Sequence, residues 1–575
     1  MSKRVLIVLA FALAVALPAW LLLRPETGVP DDAPTEDAMA ESLGTPIMEH
    51  IVRGHVAGRS GELMLVPKPH SFLIGEWDLT TLGTDTPTMS TSHPNPWNYL
   101  TRVPIVLYGP GYLEDKGVTD DREVDIADLA PTFAEILGMD SLGMDGLEFD
   151  GEPLIAPPDA QNPKVIFTVV IDGGGWNALQ AHVDSWPNMK RIMDEGLTYT
   201  NATIGSAPSI TGALHATFGT GVYPDKHGIP GNQMRGPDGK NTDTWLQNAD
   251  PRYLQVPTVA ELWDEQNDNE AVVATVSYEG WHIGMIGAGA GREGGDKDVA
   301  VLWEPESDEW WINGDFYELP DYLETTDIAT LEGYEEELDP RDGLVDASWF
   351  GHTLEELQEP LIRPGTPAFV RFTGDAVIDV MENERVGEDS VTDMVWIEMK
   401  MPDYAGHAWN VTRPEQADVL RETDKQIGRF LDELDRTVGR GNYLFALSAD
   451  HGQQPLPDLY GGWRINSKEL QRDIEARFGD IVEKVTPVDA YFDLDKIEED
   501  DISIDDIARF VGTYTLGENI PENAAGAELV PDDRLDEVLF AGAFSTDYLT
   551  SLTAEEIAAF GDGEYPEGDF TIGDD

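Results

Sequence analysis

VIFTVVIDGGG, residues 165–175, is an uncharged run of apolar and β-branched residues that passes directly into an aspartate and three glycines. A run with no polar alternation is the pattern of a strand buried on both faces, as in a parallel sheet covered by helices. The same pattern recurs in VPIVLYG (103–109), MVWIEMK (394–400) and YLFALSA (443–449). Between these runs lie helical periodicities, such as 424–436, where Ile427, Leu431 and Leu434 recur on one face. Strands alternating with helices predict an α/β fold: a mostly parallel central sheet with helices on both faces. Ligands of such folds bind at the carboxyl ends of the strands.

Three of those strand ends carry acids, and two carry histidines. Asp172 follows the 165–171 run, Asp403 and His407 follow 394–400 in KMPDYAGH, and Asp450 and His451 follow 443–449 in SADHG. Taken singly, an aspartate after a strand is a helix cap or a turn residue. Together, carboxylates and imidazoles at one sheet edge form a metal-ligand inventory that suits Zn²⁺, with Mn²⁺ or Fe as alternatives.

The segment SAPSITGALHATFGTGVYPDKHGIPGN (206–232) places Thr211 just before a predicted helix starting at Gly212. A phosphate there would meet free backbone N–H groups and the positive end of the helix dipole. A hydroxyl held by a metal would become a nucleophile, whereas without a metal Thr211 would be an ordinary N-cap.

In this order, Asp-Gly after a strand, Thr211 ahead of TGVYPDKHGIPGN, D-x-x-x-H and S-x-DHG, the chain resembles the alkaline phosphatase superfamily. Within it, the type I phosphodiesterases and nucleotide pyrophosphatases are the most similar, over about residues 164–455. The resemblance implies two zinc ions, one held by Asp172, Thr211, Asp450 and His451, the other by Asp403, His407 and one further histidine. It implies that Thr211 attacks phosphorus in line to give a phospho-threonine that water hydrolyses. Asn232 would contact a phosphoryl oxygen, as would the Gly212 backbone.

The further histidine normally lies downstream of DHG, but no histidine follows His451. His93 supplies one, because STSHPNPWNYLTRVPIVLYGPG (90–111) resembles the family's carboxy-terminal ligand loop and last strand. GELMLVPKPHSFL (61–73), VDIADLAPTFAEILGM (124–139) and DGEPL (150–154) are similar to the elements around that loop. The expectation is a circular permutation: residues 44–157 are the end of the catalytic domain moved to the front, joined through 141–164 to the main part, 158–548. An independent domain over 44–157 is the alternative.

The monoesterases of the superfamily carry a Lys-x-Arg pair where VATVSYEGWHIG (273–284) places Glu279 and Trp281. An acid and an aromatic suit a monoester dianion badly, which favours a phosphodiester or pyrophosphate as the small-molecule substrate. A phosphomonoesterase is the alternative, and an inactive protein that captures phosphorylated ligands is the alternative outside enzymes. A sulfatase Cys/Ser-x-Pro-x-Arg motif and a G-x-S-x-G elbow are both absent. His215 and His227 are expected to support Thr211, while His50, His55, His70, His182 and His352 stand outside any ligand set.

Of the 575 residues, 109 are acidic and 37 basic, giving a net charge of -72 that repels nucleic acids and anionic membrane surfaces. Such self-repulsion is relieved at high ionic strength, where the Debye length falls to roughly 3 Å at 1 M, so folding is expected to be salt-dependent, as in halophilic proteins. Lys3 and Arg4 precede an uncharged run from Val5 to Leu23. Its length is close to the ~20 residues of a membrane-spanning helix. Residues 1–24 are therefore expected to be a membrane anchor with the catalytic domain outside the cytoplasm, or else a cleaved signal peptide. Residues 25–43, rich in Pro, Ala and acid, predict a flexible stalk. The segment 296–390 is expected to be a substrate-shaping insertion, and 549–575 a short helix followed by a disordered acidic tail. There are no cysteines, so disulfides and thiolate ligands are excluded.

Overall fold

The computed structural model describes residues 29–565, apart from 31, 86–88, 114–116, 140–147, 159–160 and 247. Its centre is a ten-stranded sheet. In chain order the principal strands are β1 (Arg102–Tyr108), β2 (Val118–Asp120), β3 (Val165–Ile171), β4 (Leu197–Thr203), β5 (Val273–Val276), β6 (Val299–Glu304), β7 (Glu309–Trp311), β8 (Asp393–Met399) and β9 (Tyr443–Ala449). Across the sheet they run β7-β6-β5-β8-β3-β9-β1-β4-β2. All neighbours among β6, β5, β8, β3 and β9 are parallel, whereas β1 is antiparallel to β9 and β4.

Every residue of β3, β8 and β9 is buried, which is why these strands read as continuous apolar runs. Successive side chains enter opposite cores. Phe167, Val169 and Ile171 pack on one face with Phe369, Val377, Ile427 and Phe430 of the helices Pro367–Asn383 and Pro414–Thr437. Ile166 and Val170 face the other way, towards Phe133, Leu214 and Val259. Each such aromatic or branched side chain contributes about 1.5–3 kcal/mol by leaving water.

Residues 44–157 are woven into the rest. β1 lies between β9 and β4, and Leu63–Pro67 pairs with Phe540–Ser545 and Asp489–Phe492 in a second, four-stranded sheet. The segment therefore shares both sheets with the main part.

Two expectations differ from the structure. The stalk ends early: Glu36–Leu43 is a helix capped by Thr35, whose side chain accepts a hydrogen bond from the Ala38 amide. Met39, Ala40 and Leu43 lie in a core with Phe544, Leu549 and Ile557. The Pro- and Asp-rich composition stops before this helix, and its apolar residues, too few to show periodicity, are satisfied by the chain's other end. The acidic tail is likewise ordered as far as it is described. The helices Thr546–Ser551 and Ala554–Ala558 dock there, and the Thr45 amide donates to the Gly561 carbonyl at 2.8 Å. Residues 566–575 lie outside the described residues.

The insertion 296–390 contributes β6, β7 and the helix Pro367–Asn383 to the main sheet. Trp303 is wedged between Trp310, Phe369 and Phe372, so it serves the core, and one edge of it borders the cavity described below. The anticipated anchor, Val5–Leu23, lies outside the described residues; among those described, no helix is long and apolar enough to cross a membrane.

Candidate metal centre and phosphoryl site

The three parallel strands β3, β8 and β9 end at one edge, and each delivers an acid there. Asp172 leaves β3, and Asp450 and His451 leave β9. Met401–Trp409, here α2, begins immediately after β8 and carries Asp403 and His407 one turn apart on one face. Because β1 is reversed, its entry meets the same edge, and the loop before it delivers His93. The helix Thr211–Thr220, here α1, starts at Thr211, one residue earlier than the expected Gly212.

The donors form two adjoining sets. His451 Nε2 lies 3.1 Å from Asp172 Oδ1 and 3.3 Å from Asp450 Oδ2. His93 Nε2 lies 3.2 Å from Asp403 Oδ1, and His407 Nε2 lies 3.3 Å from Asp403 Oδ2. Asp172, Asp450 and His451 form one group able to hold a metal, and His93, Asp403 and His451 another.

Each histidine is oriented from behind. The Nδ1 of His93 donates to the Ser209 carbonyl at 2.9 Å, that of His407 to Thr91 at 2.7 Å, and that of His451 to Gly452 at 2.9 Å. A carbonyl can only accept, so each Nδ1 carries a proton and each Nε2 is turned inwards towards the carboxylates. The Gln453 amide donates to Asp403 Oδ1 at 2.8 Å and the Gly173 amide to Asp450 Oδ1 at 3.1 Å, fixing both carboxylates.

The cluster is short of positive charge. Burial pushes Asp450 up, and the Asp172 charge adds to this. Burial opposes a charged His451, but Asp450 and Asp172 outweigh it and raise the imidazole to about 9. At His93 burial prevails and lowers the ring to about 4. Asp172 Oδ1, Asp450 Oδ2 and His451 Nε2 are buried without a hydrogen-bond partner, an arrangement that costs free energy unless a cation joins them. The donor set therefore fits divalent metal ions.

Lys400 is a residue that strand and motif reading passed over. Its Nζ is 2.7 Å from both Asp172 Oδ2 and Asp403 Oδ2, so it ties one carboxylate of each set to the other. Burial opposes its charge, but Asp172 and Asp403 outweigh burial and keep it protonated. The sequence signal was present, a lone lysine at the exit of an apolar strand three residues ahead of an aspartate.

Asn232 accepts the Gly212 amide at its Oδ1 over 3.0 Å. That bond takes up the backbone N–H expected to face a phosphoryl oxygen. Next to Asn232 opens a cavity of about 540 Å³, lined among others by Trp245, Tyr278, Glu279, Trp281 and Trp311, with no lysine or arginine among the described residues of its wall. Glu279 accepts from the Tyr404 hydroxyl at 3.0 Å, and burial raises its carboxyl to about 7 even though Lys400 opposes this. Glu279 and Trp281 both line this cavity. His182, His227 and His352 make hydrogen bonds to Val411, Thr217 and Glu415, outside both donor sets.

Residues 166–533 match the family model of type I phosphodiesterase / nucleotide pyrophosphatase. A Myroides odoratus protein described as a calcium-transporting ATPase is 24% identical over 415 residues, covering 62% of this chain and 73% of its own. The alkaline phosphatase PafA of Elizabethkingia meningoseptica is 23% identical over 405 residues, covering 61% and 73%. The crystal structure of wild-type alkaline phosphatase PafA superposes with a TM-score of 0.51 at 20% identity, over 67% of this chain and 85% of that one. The chain belongs to the type I phosphodiesterase / nucleotide pyrophosphatase family of the alkaline phosphatase superfamily, and is a phosphoric ester hydrolase.

Proposed function

We propose that the chain hydrolyses small phosphodiesters or pyrophosphates outside the cytoplasm, using two divalent metal ions and Thr211 as nucleophile. The observation that carries the reading is the meeting of Thr211, Asn232 and two donor sets at one sheet edge, beside a cavity walled by aromatics and lacking basic residues. Asp172, Thr211, Asp450 and His451 would hold one ion, and Asp403, His407 and His93 the other. Imidazole with carboxylate favours zinc, with Mn²⁺ or Fe as alternatives. Such ions supply Lewis-acid polarisation of the phosphoryl group and charge stabilisation.

The chain's own groups do the rest. Thr211 Oγ bonds to phosphorus as the bond to the leaving oxygen breaks, and the Thr211 proton ends on that oxygen; water then takes the phosphoryl group and gives one proton back to Oγ. Asn232, held at Oδ1 by the Gly212 amide, has its Nδ2 free to donate to a phosphoryl oxygen as charge develops there. Trp281 and Tyr278 offer flat faces to a base, an aryl group or an apolar substituent on the ester.

The monoesterase reading is favoured by the names of the alkaline phosphatase relatives. Against it, a monoester dianion gains from a free cation, and Lys400 is already paired with two carboxylates. Comparing kcat/KM for bis-p-nitrophenyl phosphate and p-nitrophenyl phosphate decides between them. Diester preference is expected, and monoester preference overturns it.

Residues 44–157 are, on this reading, the family's carboxy-terminal part carried to the front. In support, His93 and β1 lie outside the matched residues 166–533, yet complete the donor sets and the sheet. The run Val5–Leu23 behind Lys3 and Arg4 would hold the domain at the outer face of the membrane, or direct its secretion if cleaved.

A further inference from the structure

The parallel strands deliver the catalytic acids at their carboxyl ends, and the opposite edge of the same sheet carries a separate gathering of acids. Asp298 immediately precedes β6, Asp296 stands two residues earlier, and Asp264 lies in the last turn of the helix Val259–Gln266. The three bring carboxylate oxygens within 4.8 Å of one another. An acid in the last turn of a helix meets the negative end of the helix dipole, so the helix does not favour the Asp264 charge.

The buried acids around this group are answered by the backbone, but Asp298 is not. Glu261 accepts the Thr258 amide at 2.7 Å and the Ala288 amide at 2.8 Å, one at each oxygen, and Asp393 accepts the Val272 and Gly387 amides at 2.8 and 2.7 Å in the same way. Asp264 accepts the Ala271 amide at 3.1 Å through Oδ1. Asp298 is only 8% exposed, yet among the described residues no amide, hydroxyl or base donates to its carboxylate. Burial pushes that carboxyl well above its usual range, and the charged groups that add to the effect, Asp264, Glu261 and Asp296, are all acids. The bases of the same stretch are engaged elsewhere: Arg292 pairs with Glu265 at 3.4 Å, and Lys297 donates to the Gly314 carbonyl. The Asp298 carbonyl accepts the Glu318 amide at 2.9 Å, which pins the backbone there. A buried acid held among other acids is costly, and a cation shared between them removes that cost.

We propose that Asp264, Asp296 and Asp298 hold one calcium ion. The donors are carboxylate oxygens with no imidazole among them, which suits a hard cation over Zn²⁺. Asp296 is exposed, so the ion enters from solvent and keeps water on that side. A partly open set of oxygens suits Ca²⁺ better than Mg²⁺, which demands near-ideal octahedral geometry. The ion would tie the start of the segment 296–390, and with it β6, to the helix Val259–Gln266. It lies at the sheet edge away from Thr211, so it stabilises the fold without taking part in phosphoryl transfer, and it stands whether or not the two-metal reading does.

The test uses the full chain, loaded with Zn²⁺ and freed of calcium by dialysis against resin-treated buffer, in about 2 M NaCl to screen loose binding to surface acids. Isothermal titration with CaCl₂ is expected to show one saturable site per chain, and saturating calcium is expected to raise the thermal unfolding midpoint by at least about 2 °C. MgCl₂ is expected to raise it less; an equal or larger rise overturns the assignment to calcium. Asp298→Asn keeps the shape and removes the charge. It is expected to lose both the saturable site and the calcium-dependent rise, with zinc content unchanged from wild type. Absence of saturable calcium uptake by wild type overturns the proposal and means that the three carboxylates share protons instead. Unchanged calcium binding by folded Asp298→Asn overturns it as well, by placing the ion elsewhere. Should that variant not fold, Asp296→Asn, at the exposed member of the set, takes its place with the same two outcomes.

Discussion

His93 and His451 stack face to face, their ring centroids 3.5 Å apart and their planes 17° from parallel, although one precedes the matched family region and the other lies deep within it. Two imidazoles so close, both with Nε2 turned inwards, point to two ions side by side. His93→Ala is therefore expected to lower bound zinc by one ion per chain and to reduce diester turnover by at least about 100-fold, with the fold intact. Elemental analysis, circular dichroism and bis-p-nitrophenyl phosphate kinetics check this together; full metal and full activity would remove His93 from the ligand set.

Thr211 is the first residue of α1, and its side chain is buried at the sheet edge. Thr211→Ala is expected to lose at least about 1,000-fold in kcat while retaining most of its metal, and Thr211→Ser to keep a measurable part of the rate. Equal losses in the two variants would point to packing in place of nucleophilic attack. Trapping phospho-threonine by acid quench from labelled substrate gives an independent reading.

The first and last described segments meet: the Thr45 amide bonds the Gly561 carbonyl at 2.8 Å, and the Glu564 amide bonds the Ser42 carbonyl at 2.7 Å. Termini that close tolerate rejoining. A rearranged chain that starts at residue 158 and appends residues 32–157 after residue 565 through a short Gly-Ser linker is expected to fold and to hydrolyse the same diester within about tenfold of the parent rate. Failure to recover folded protein in molar salt would argue against the permutation.

The central strands and their terminal acids were legible because β3, β8 and β9 are buried on both faces, so their sequences carry no competing polar pattern. Asp172, Asp403 and Asp450 then stand out as the first charges after apolar runs. His93 could be found only by a missing partner, since nothing local marks it. Lys400 stood out only as a lone lysine at the exit of β8, three residues ahead of Asp403; its pairing with Asp172, which comes from another strand, had no local mark. Glu36–Leu43 was misread for a similar reason: a short helix earns its stability from packing on the far end of the chain.

The surface predicts a salt requirement. With 109 acidic residues against 37 basic ones, carboxylates far outnumber the cations available to pair with them, even though pairs such as Arg371 with Glu337 are common. Screening shortens the range of this repulsion to roughly 3 Å at 1 M salt. The thermal unfolding midpoint is expected to rise by at least about 5 °C between 0.1 and 2 M NaCl. A flat or falling midpoint would show that the repulsion is already balanced within the fold.

Asp489 gives a pH dependence whose sign can be derived. It lies buried in the four-stranded sheet, and burial raises its carboxyl from the ordinary range to about 7, with Glu62 adding to the effect. The folded state thus binds the proton more tightly than the unfolded chain. Stability from this group is complete below the unfolded value near 4, is lost as pH rises through the interval up to about 7, and changes no further above that. The loss is on the order of 4 kcal/mol at most. Asp489→Asn, which has the same shape and no charge to bury, is expected to exceed wild type in stability by more at pH 8 than at pH 5. Urea midpoints at both pH values, taken in 2 M NaCl to suppress the general repulsion, measure the difference. A variant less stable than wild type at pH 8 would mean that the ionised carboxylate is favourably held, and that its neighbours, not burial, govern the site.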